Sequence, residues 1–265
     1  MEQELKRRVQ FFNEQYWYAS AFLKNYLPFH DYRNLNLLEM GSAEGGCLKF
    51  FNEEGSNCYG IEIAKNRVAF SRIHNRKNLH LLLGDICDDV LYRQLPKMDM
   101  IILRDVIEHI HQKELALKNI KMILKKEGIV FISFPPKYSP YAGHQQNIKN
   151  VIGRLPFIHL FPEFVYSKIL ELIRVKPFQI NRLLEAKRNT ISIRTMERLF
   201  IQKGFEVLKK DLYLIRPCFE KRFGIKPKKI FLNRCPLLRE FFTLGALYLL
   251  KNNSNNSYLH GNESS

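Results

Sequence analysis

The sequence predicts a doubly wound α/β fold, in which helices cover both faces of a parallel sheet. Apolar segments of strand length alternate with helical segments, and the strands are expected at 35–40, 57–63, 79–84, 98–103 and 129–134. Uninterrupted apolar strands of this kind are typical of parallel sheets buried on both faces. A glycine-rich turn at residues 41–46 follows the first strand directly, as expected at a strand-to-helix connection. The hydrophobic content of 46% is sufficient for a substantial core.

The segments between these strands have helical periodicity. An aromatic-rich helix is expected over residues 2–27 and ends at Pro28. A second helix follows the glycine-rich turn to about residue 52, and a third covers 65–74. Residues 112–126 are amphipathic, and Gly128 is the expected cap of that helix.

The alternation stops after residue 134. Pro135, Pro136 and Pro140 prevent an immediate strand or helix, so residues 137–190 are expected to form an inserted lid. A helix then begins after Ser192 and ends at Gly204, and two final strands are expected at 205–215 and 241–250. We therefore expect an N-terminal helical segment (1–28), one α/β domain with the insertion (29–251) and a disordered tail (252–265).

The charge is distributed unequally along the chain. Residues 1–132 carry 19 Lys+Arg against 17 Asp+Glu, whereas residues 133–265 carry 23 against 9, a net charge of +14 in the second half. A field of this sign attracts anionic substrates, polyanions or an anionic lipid surface. Five scattered cysteines without ligand spacing argue against zinc and against a disulfide framework. With no secretory signal and apolar stretches of only about ten residues, we expect a cytoplasmic protein.

Candidate ligand-binding residues follow the carboxyl ends of the expected strands. Glu39 and Gly41 lie at the end of the first strand, Glu62 closes the second, and Asp85 follows the third. A carboxylate in the position of Glu62 can accept the ribose hydroxyls of a nucleoside cofactor. The same turn is also compatible with a degraded dinucleotide fingerprint or with a simple tight connection.

Together with the D-V-I-E-H-I run at residues 105–110, these motifs resemble those of class I S-adenosylmethionine-dependent methyltransferases, in the broad branch that includes ubiquinone-biosynthesis enzymes. The resemblance covers residues 30–134 well and 205–250 moderately. Ala43 departs from the usual middle glycine of the turn. The resemblance implies a Rossmann-like sheet of seven strands in the order 3-2-1-4-5-7-6, with strand seven antiparallel.

The resemblance also implies roles for individual residues. S-adenosylmethionine is the implied cofactor, and no metal is required. The methionine end would contact Glu39, Gly41, Ser42 and Gly45, and Arg104 or Asp105 would approach it from the fourth strand. Glu62, beside Ile63, would hold the ribose, and Asp85 and Ile86 would flank the adenine.

The acceptor side is expected after the fifth strand, where Tyr138, Tyr141 and His144 occur close together. A neutral histidine suits deprotonation of a hydroxyl group, so His144 is the candidate base, with His109 as a second candidate. Packing roles for the tyrosines and a loop hydrogen bond for His144 are the alternative. The expected reaction is O-methylation of a small, lipid-linked or glycan-linked acceptor that is anionic, for example phosphorylated; an RNA or N-methyltransferase and a non-methylating nucleotide-binding module are the alternatives. Peripheral membrane contact agrees with the basic half better than nucleic-acid binding, because no RNA-recognition motif is present.

Overall fold

In the computed structural model, residues 2–74, 79–148, 150–231 and 235–253 are described, and they contain one sheet of eight strands. The strands are β1 Asn36–Met40, β2 Asn57–Glu62, β3 Leu79–Leu83, β4 Met98–Arg104, β5 Leu124–Phe134, β6 Phe205–Ile215, β7 Lys228–Lys229 and β8 Gly245–Asn252. Their order in the sheet is β3-β2-β1-β4-β5-β8-β6-β7. Strands β1 to β5 run parallel to one another, and β8 is antiparallel to both β5 and β6.

The predicted count of seven strands is wrong. The additional strand is β7, where Lys228 and Lys229 pair with Ile215 and Tyr213 of β6. Because β7 precedes the last strand in the chain, the order is 3-2-1-4-5-8-6-7 and not 3-2-1-4-5-7-6. The antiparallel strand between β5 and β6 is confirmed, although it begins at Gly245 and not at residue 241.

The helices cover both faces of the sheet and two separate apolar cores fill the spaces between them. The helices are α1 Glu2–Trp17, a π-helical turn Tyr18–Leu23, α2 Lys24–Tyr26, α3 Gly46–Glu53, α4 Lys65–His74, α5 Lys113–Ile123, α6 Glu163–Leu172, α7 Pro177–Asn189, α8 Ile193–Gln202, α9 Cys218–Phe223 and α10 Pro236–Phe242. The predicted start of α8 is confirmed, because the Ser192 hydroxyl accepts a hydrogen bond from the Thr195 amide. Gly204 then leaves the helix with a φ of +73°.

Gly128 does not cap α5. The helix ends at Ile123, and the chain passes directly into β5, so that Gly128 lies within the strand. A Cβ atom at this position would come within 2.9 Å of the Met98 carbonyl oxygen. Glycine is needed here for close approach to β4, where the pairing register shifts.

The insertion at residues 137–190 is partly helical. Helices α6 and α7 bury Tyr166, Leu170, Ile180 and Leu183 against Ile158, which forms a small core of their own. The Lys137 amide donates to the Ile191 carbonyl, and this hydrogen bond closes the base of the insertion. The tail predicted from residue 252 lies outside the described residues from residue 254 onward, whereas Asn252 is the last residue of β8. Within the described ranges, no helix is long and apolar enough to cross a membrane.

Candidate active site

The turn after β1 approaches its neighbours closely. Gly41 has a φ of +70°, and a Cβ atom there would lie 2.5 Å from a methyl group of Val106. The Gly41 and Ser42 amides both donate to the Ile61 carbonyl, at 2.8 and 3.1 Å. Ala43 has a φ of +47°, so an alanine adopts the left-handed conformation in which the family has glycine. The turn therefore keeps its geometry at a local cost of roughly 1 kcal/mol.

Glu62 connects this turn to the end of β2. Its carboxylate accepts hydrogen bonds from the Ala43 amide at 2.9 Å and from the Ala64 amide at 2.8 Å. Each oxygen of a carboxylate can accept more than one donor. Glu62 is 5% exposed, and an Arg67 guanidinium nitrogen lies 3.9 Å from it. Glu62 is thus oriented by the backbone at the point where the resemblance implies a ribose-binding carboxylate.

Glu39 presents an unsatisfied carboxyl group at the end of β1. The residue is 2% exposed, and its Oε2 atom has no hydrogen-bond partner among the described residues. Burial raises the pKa of Glu39 to about 8, although the Arg104 guanidinium opposes this shift. Arg104 itself lies over the ring of Tyr18, 4.8 Å from the ring centre. A buried carboxyl oxygen without a donor is suited to a ligand that brings a cation or an N–H group.

The N-terminal helix closes the other side of the turn. Gly45, the N-cap residue of α3, has a φ of +82°. The amide of the next residue, Gly46, donates to Gln15 Oε1 at 2.9 Å. A Cβ atom at Gly46 would clash with the Phe12 carbonyl oxygen at 2.0 Å. Ser42 Oγ is buried and faces Gly60 of β2, where an added Cβ would lie 2.9 Å away. The sequence interpretation did not include Gln15 or Tyr18, whose only signal was the aromatic-rich helix.

The residues proposed for the adenine follow β3. Asp85 is exposed, and its Oδ1 accepts a hydrogen bond from the Cys87 amide at 2.8 Å. Ile86 is 9% exposed, and its carbonyl accepts the Tyr92 hydroxyl at 2.6 Å. Ile63, which follows β2, is 69% exposed. These contacts fix the backbone after β3 and leave the Ile63 side chain at the surface.

Asp105, directly after β4, is held by residues distant in sequence. Its φ is +55°, and its amide donates to the Ser133 carbonyl at 2.9 Å. Arg216, which follows β6, donates to both carboxylate oxygens. Burial alone would raise the pKa of Asp105, but the charges and hydrogen bonds of Arg216, with Arg104, hold it below its usual range. The sequence interpretation did not include Arg216, since nothing local distinguishes it from the other basic residues.

Two histidines and a glutamate meet next to this ion pair. The rings of His109 and His144 are stacked, with centroids 4.9 Å apart and an interplanar angle of 17°. Burial lowers the pKa of His144 to about 4, with a further contribution from His109, and burial also lowers the pKa of His109. His144 Nε2 has no described hydrogen-bond partner. Both histidines are therefore neutral at pH 7.

Glu108 lies close to the rings of His109 and His144. It is 1% exposed, and neither carboxyl oxygen has a partner among the described residues. Burial, followed by the charge of Asp105, raises the pKa of Glu108 well above its usual range. One donor atom each from Glu108, His109 and His144 lie within 4.8 Å of one another, so this group could hold a cation. The expectation that no metal is required stays a prediction.

The structure brings His144 to His109 but gives the two tyrosines other surroundings. Tyr138 packs against Phe241 of α10, with ring centroids 5.7 Å apart, and Tyr141 is 38% exposed. The turn that carries His144 is fixed by buried Gln145, whose amide donates to the Pro140 carbonyl at 2.7 Å. The loop is therefore held in place, with the histidine pair as its most distinctive feature.

Comparisons with known proteins agree with this geometry. The family model of the methyltransferase domain matches residues 12–210. The chain therefore belongs to the methyltransferase domain family and is an S-adenosylmethionine-dependent methyltransferase. The nucleotide-binding module without methyl transfer is thereby rejected.

Relatives with known names are distant. A ubiquinone biosynthesis O-methyltransferase from Pelagibacter ubique (strain HTCC1062) is 25% identical over 101 residues, which cover 38% of this chain and 42% of that protein. The chain thus spans less than half the length of the curated relatives it matches.

Solved structures share the fold. A methyltransferase from Mesorhizobium loti is similar with a TM-score of 0.56 at 12% identity. The matched region covers 87% of this chain and 95% of that protein. Magnesium protoporphyrin IX methyltransferase from Synechocystis PCC 6803, with bound S-adenosylhomocysteine, has a TM-score of 0.51 at 12% identity and covers 92% of this chain and 84% of its own.

The residues present fit S-adenosylmethionine, the cofactor of this family. The unpartnered Oε2 atom of Glu39 suits a cationic amine, and the backbone-oriented carboxylate of Glu62 suits paired hydroxyls. Gly41 leaves no room for a side chain between the turn and Val106. When bound, the cofactor supplies an electrophilic methyl group on a sulfonium centre.

Proposed function

We propose that this methyltransferase methylates a hydroxyl oxygen of a small, lipid-linked or glycan-linked acceptor that carries negative charge. The stacked His109–His144 pair is the observation that carries this proposal, because it supplies a neutral base beside the cofactor-binding edge of the sheet. The distant relative from Pelagibacter ubique is an O-methyltransferase, which agrees with this proposal.

Deprotonation is the step for which a hydroxyl acceptor needs the protein. The pKa of a hydroxyl group lies far above 7, so the oxygen is a weak nucleophile until its proton is removed. A neutral His144 accepts this proton at Nε2, the atom that has no hydrogen-bond partner among the described residues. His109, stacked on the same ring, keeps the imidazole in a fixed orientation. General-base catalysis of this kind contributes about 10²–10⁴ in rate.

The charge near the site favours an anionic acceptor. Arg216 lies 15% exposed at the end of β6, and its Nε atom is buried without a partner among the described residues. The net charge of +14 carried by residues 133–265 attracts phosphate or carboxylate groups, and the unpartnered Nε–H of Arg216 can donate to them, although its charge is paired with that of Asp105. All five cysteines are free, which agrees with the proposed cytoplasmic location.

The proposal is tested by following a labelled methyl group. The protein is incubated with methyl-labelled S-adenosylmethionine and a cell extract divided into lipid, glycan, small-molecule and RNA fractions. We expect label in the small-molecule, lipid or glycan fraction, in a product that resists alkaline hydrolysis as a methyl ether does. His144→Ala should reduce this label, whereas the exposed His30→Ala should not. Label in RNA, or on nitrogen, would contradict the proposal.

A further inference from the structure

Helix α10 has an inverted distribution of polar and apolar side chains. Its four large apolar residues are exposed: Leu237 by 78%, Leu238 by 46%, Phe241 by 38% and Phe242 by 51%. We call these four residues the α10 face. The charged residues between them, Arg239 and Glu240, point into the protein, and Glu240 is only 6% exposed. A surface helix normally has its apolar stripe toward the core.

The inward-pointing charges fix this orientation. Glu240 accepts hydrogen bonds from the amides of Ile193 and Arg194, both at 3.0 Å, at the beginning of α8. Arg239 is paired with Glu197, which also accepts the Tyr248 hydroxyl at 3.0 Å. Rotating the helix to bury the α10 face would break these contacts and leave buried charges unpaired. Among the described residues, the α10 face therefore stays exposed.

The α10 face borders the loop that carries the proposed base. The ring of Phe241 lies 5.7 Å from that of Tyr138 and 6.1 Å from that of Phe157. The Phe157 amide in turn donates to the Pro140 carbonyl at 2.8 Å, within the turn that leads to His144. The neighbouring segment adds further exposed apolar residues, namely Val151, Ile152 and Leu155. The apolar surface is thus continuous with the acceptor side of the site.

Lysine residues lie near the end of this helix. Tyr213 of β6 pairs with Lys229 of β7 on one side and with Gly245 of β8 on the other. Since adjacent strands are about 4.8 Å apart, the β7 backbone lies about 10 Å from the start of β8, just after α10. Lys228 and Lys226 are exposed, and among the described residues neither has an ion-pair partner. Exposed apolar groups and cations therefore occur on the same side of the molecule.

We propose that the α10 face docks on the surface of an anionic phospholipid bilayer, with Leu237 and Phe242 entering the interface. Apolar side chains next to lysines are the composition of interfacial membrane-binding helices. Nucleic acid would use the lysines and the aromatic rings but not the exposed leucines. A second copy of the chain, meeting this one through the same face, would bring the lysines of both copies together. The purpose of the docking rests on the proposed lipid-linked acceptor, but the docking itself does not.

The experiment is co-sedimentation of the full chain with vesicles of phosphatidylcholine, with and without phosphatidylglycerol. We expect binding to the anionic vesicles only, and binding that falls with added salt. Leu237→Ser combined with Phe242→Ser should weaken the partition at least tenfold, because two apolar side chains no longer enter the interface. The matched control combines Ile73→Ser and Val90→Ser, which lie at exposed apolar positions in the first half of the chain.

Calorimetry with S-adenosylhomocysteine shows that each variant is folded and separates the two proposals. Full cofactor affinity with lost vesicle binding in the α10 variant supports docking. Three results would overturn the docking proposal. The two double variants could bind vesicles equally, the wild type could fail to bind anionic vesicles, or it could bind RNA in place of vesicles. A dimer of the wild type that Leu237→Ser and Phe242→Ser dissociate would also overturn it. Vesicle binding without methyl transfer to lipid or glycan would leave the docking intact and contradict the proposed acceptor.

Discussion

Arg216 and Asp105 form an ion pair across the carboxyl edge of the sheet, although 111 residues separate them in the chain. The pair connects the end of β6 to the D-V-I-E-H-I segment after β4, and it sets the charge beside Glu108 and the two histidines. It is therefore the contact through which the antiparallel half of the sheet contributes to the site.

Removal of Arg216 should destabilise the protein in a pH-dependent way. Arg216→Met leaves Asp105 without its cation, and we expect a loss of about 1–3 kcal/mol in the free energy of unfolding at pH 7. Because the folded-state pKa of Asp105 is lowered, the stabilisation is present above about pH 4 and lost as the pH falls through the folded pKa. Urea unfolding at pH 7 and pH 3 measures the difference.

The matched control for this prediction is Lys125→Met, which removes the cation of the more exposed pair with Asp99. It should cost about 1 kcal/mol or less. A loss in Arg216→Met that is the same at both pH values would show that packing, and not the charge of Asp105, accounts for it.

His144→Ala should lower kcat by about 10²–10⁴ and leave the affinity for S-adenosylhomocysteine nearly unchanged. From the sequence alone, the pH profile of kcat is expected to fall near pH 6.5, the pKa of an ordinary histidine. In the structure, burial disfavours the imidazolium and lowers the pKa of His144 to about 4, so the fall is expected near pH 4. The kcat of the wild type should thus stay constant through neutral pH and fall toward pH 4 as His144 is protonated. A wild-type kcat in the His144→Ala variant, measured with the true acceptor, would reduce His144 to a loop residue.

The local parts of the fold could be predicted from the sequence. Strands β1 to β4 and β6 have their predicted positions to within one residue at each end, because their apolar runs are bounded by turns and charges. Helices α6 and α7 were missed, since their small core is formed between two segments and their outer residues are apolar as well. Helix α10 is absent from the sequence prediction, and its last residues, Phe241 and Phe242, fall in the strand predicted at 241–250, because periodicity cannot distinguish exposed apolar residues from buried ones.

The site could be predicted only where it follows strand ends. Glu39, Glu62 and Asp105 lie where the motifs indicate, whereas Gln15, Tyr18 and Arg216 reach it from distant elements. The same limit applies to His144: its position after β5 could be predicted, but its stacking on His109 depends on how the loop folds back.

The insertion should cover the acceptor and respond to ligands. Its end is tied to the site, because the Asn189 side chain donates to the His109 carbonyl at 3.3 Å. We expect trypsin to cleave after exposed Arg154, and more slowly when S-adenosylhomocysteine is bound. Cleavage after the exposed Lys228, which lies outside the insertion, is the internal control and should not change. Digestion confined to the chain termini in both states would count against a mobile cover.

Glu108→Gln should retain activity to within about threefold, because burial raises the pKa of Glu108 well above its usual range, which favours the protonated form, and glutamine has the same shape. Treatment with a chelator should likewise have no effect on the wild type. The contrary result is that EDTA abolishes the activity of the wild type and a divalent cation restores it, whereas Glu108→Gln shows neither effect. This result would make the Glu108, His109 and His144 group a metal site.

The most direct test of the account is the affinity for S-adenosylhomocysteine, measured by calorimetry on the wild type and on Glu62→Ala. Glu62→Ala removes two charge-assisted hydrogen bonds to the ribose, each worth roughly 1.5–3 kcal/mol. We therefore expect the variant to bind S-adenosylhomocysteine at least tenfold more weakly than the wild type. Glu127→Ala, at an exposed position in β5, should bind as the wild type does. Unchanged affinity in a folded Glu62→Ala variant would contradict the placement of the cofactor site.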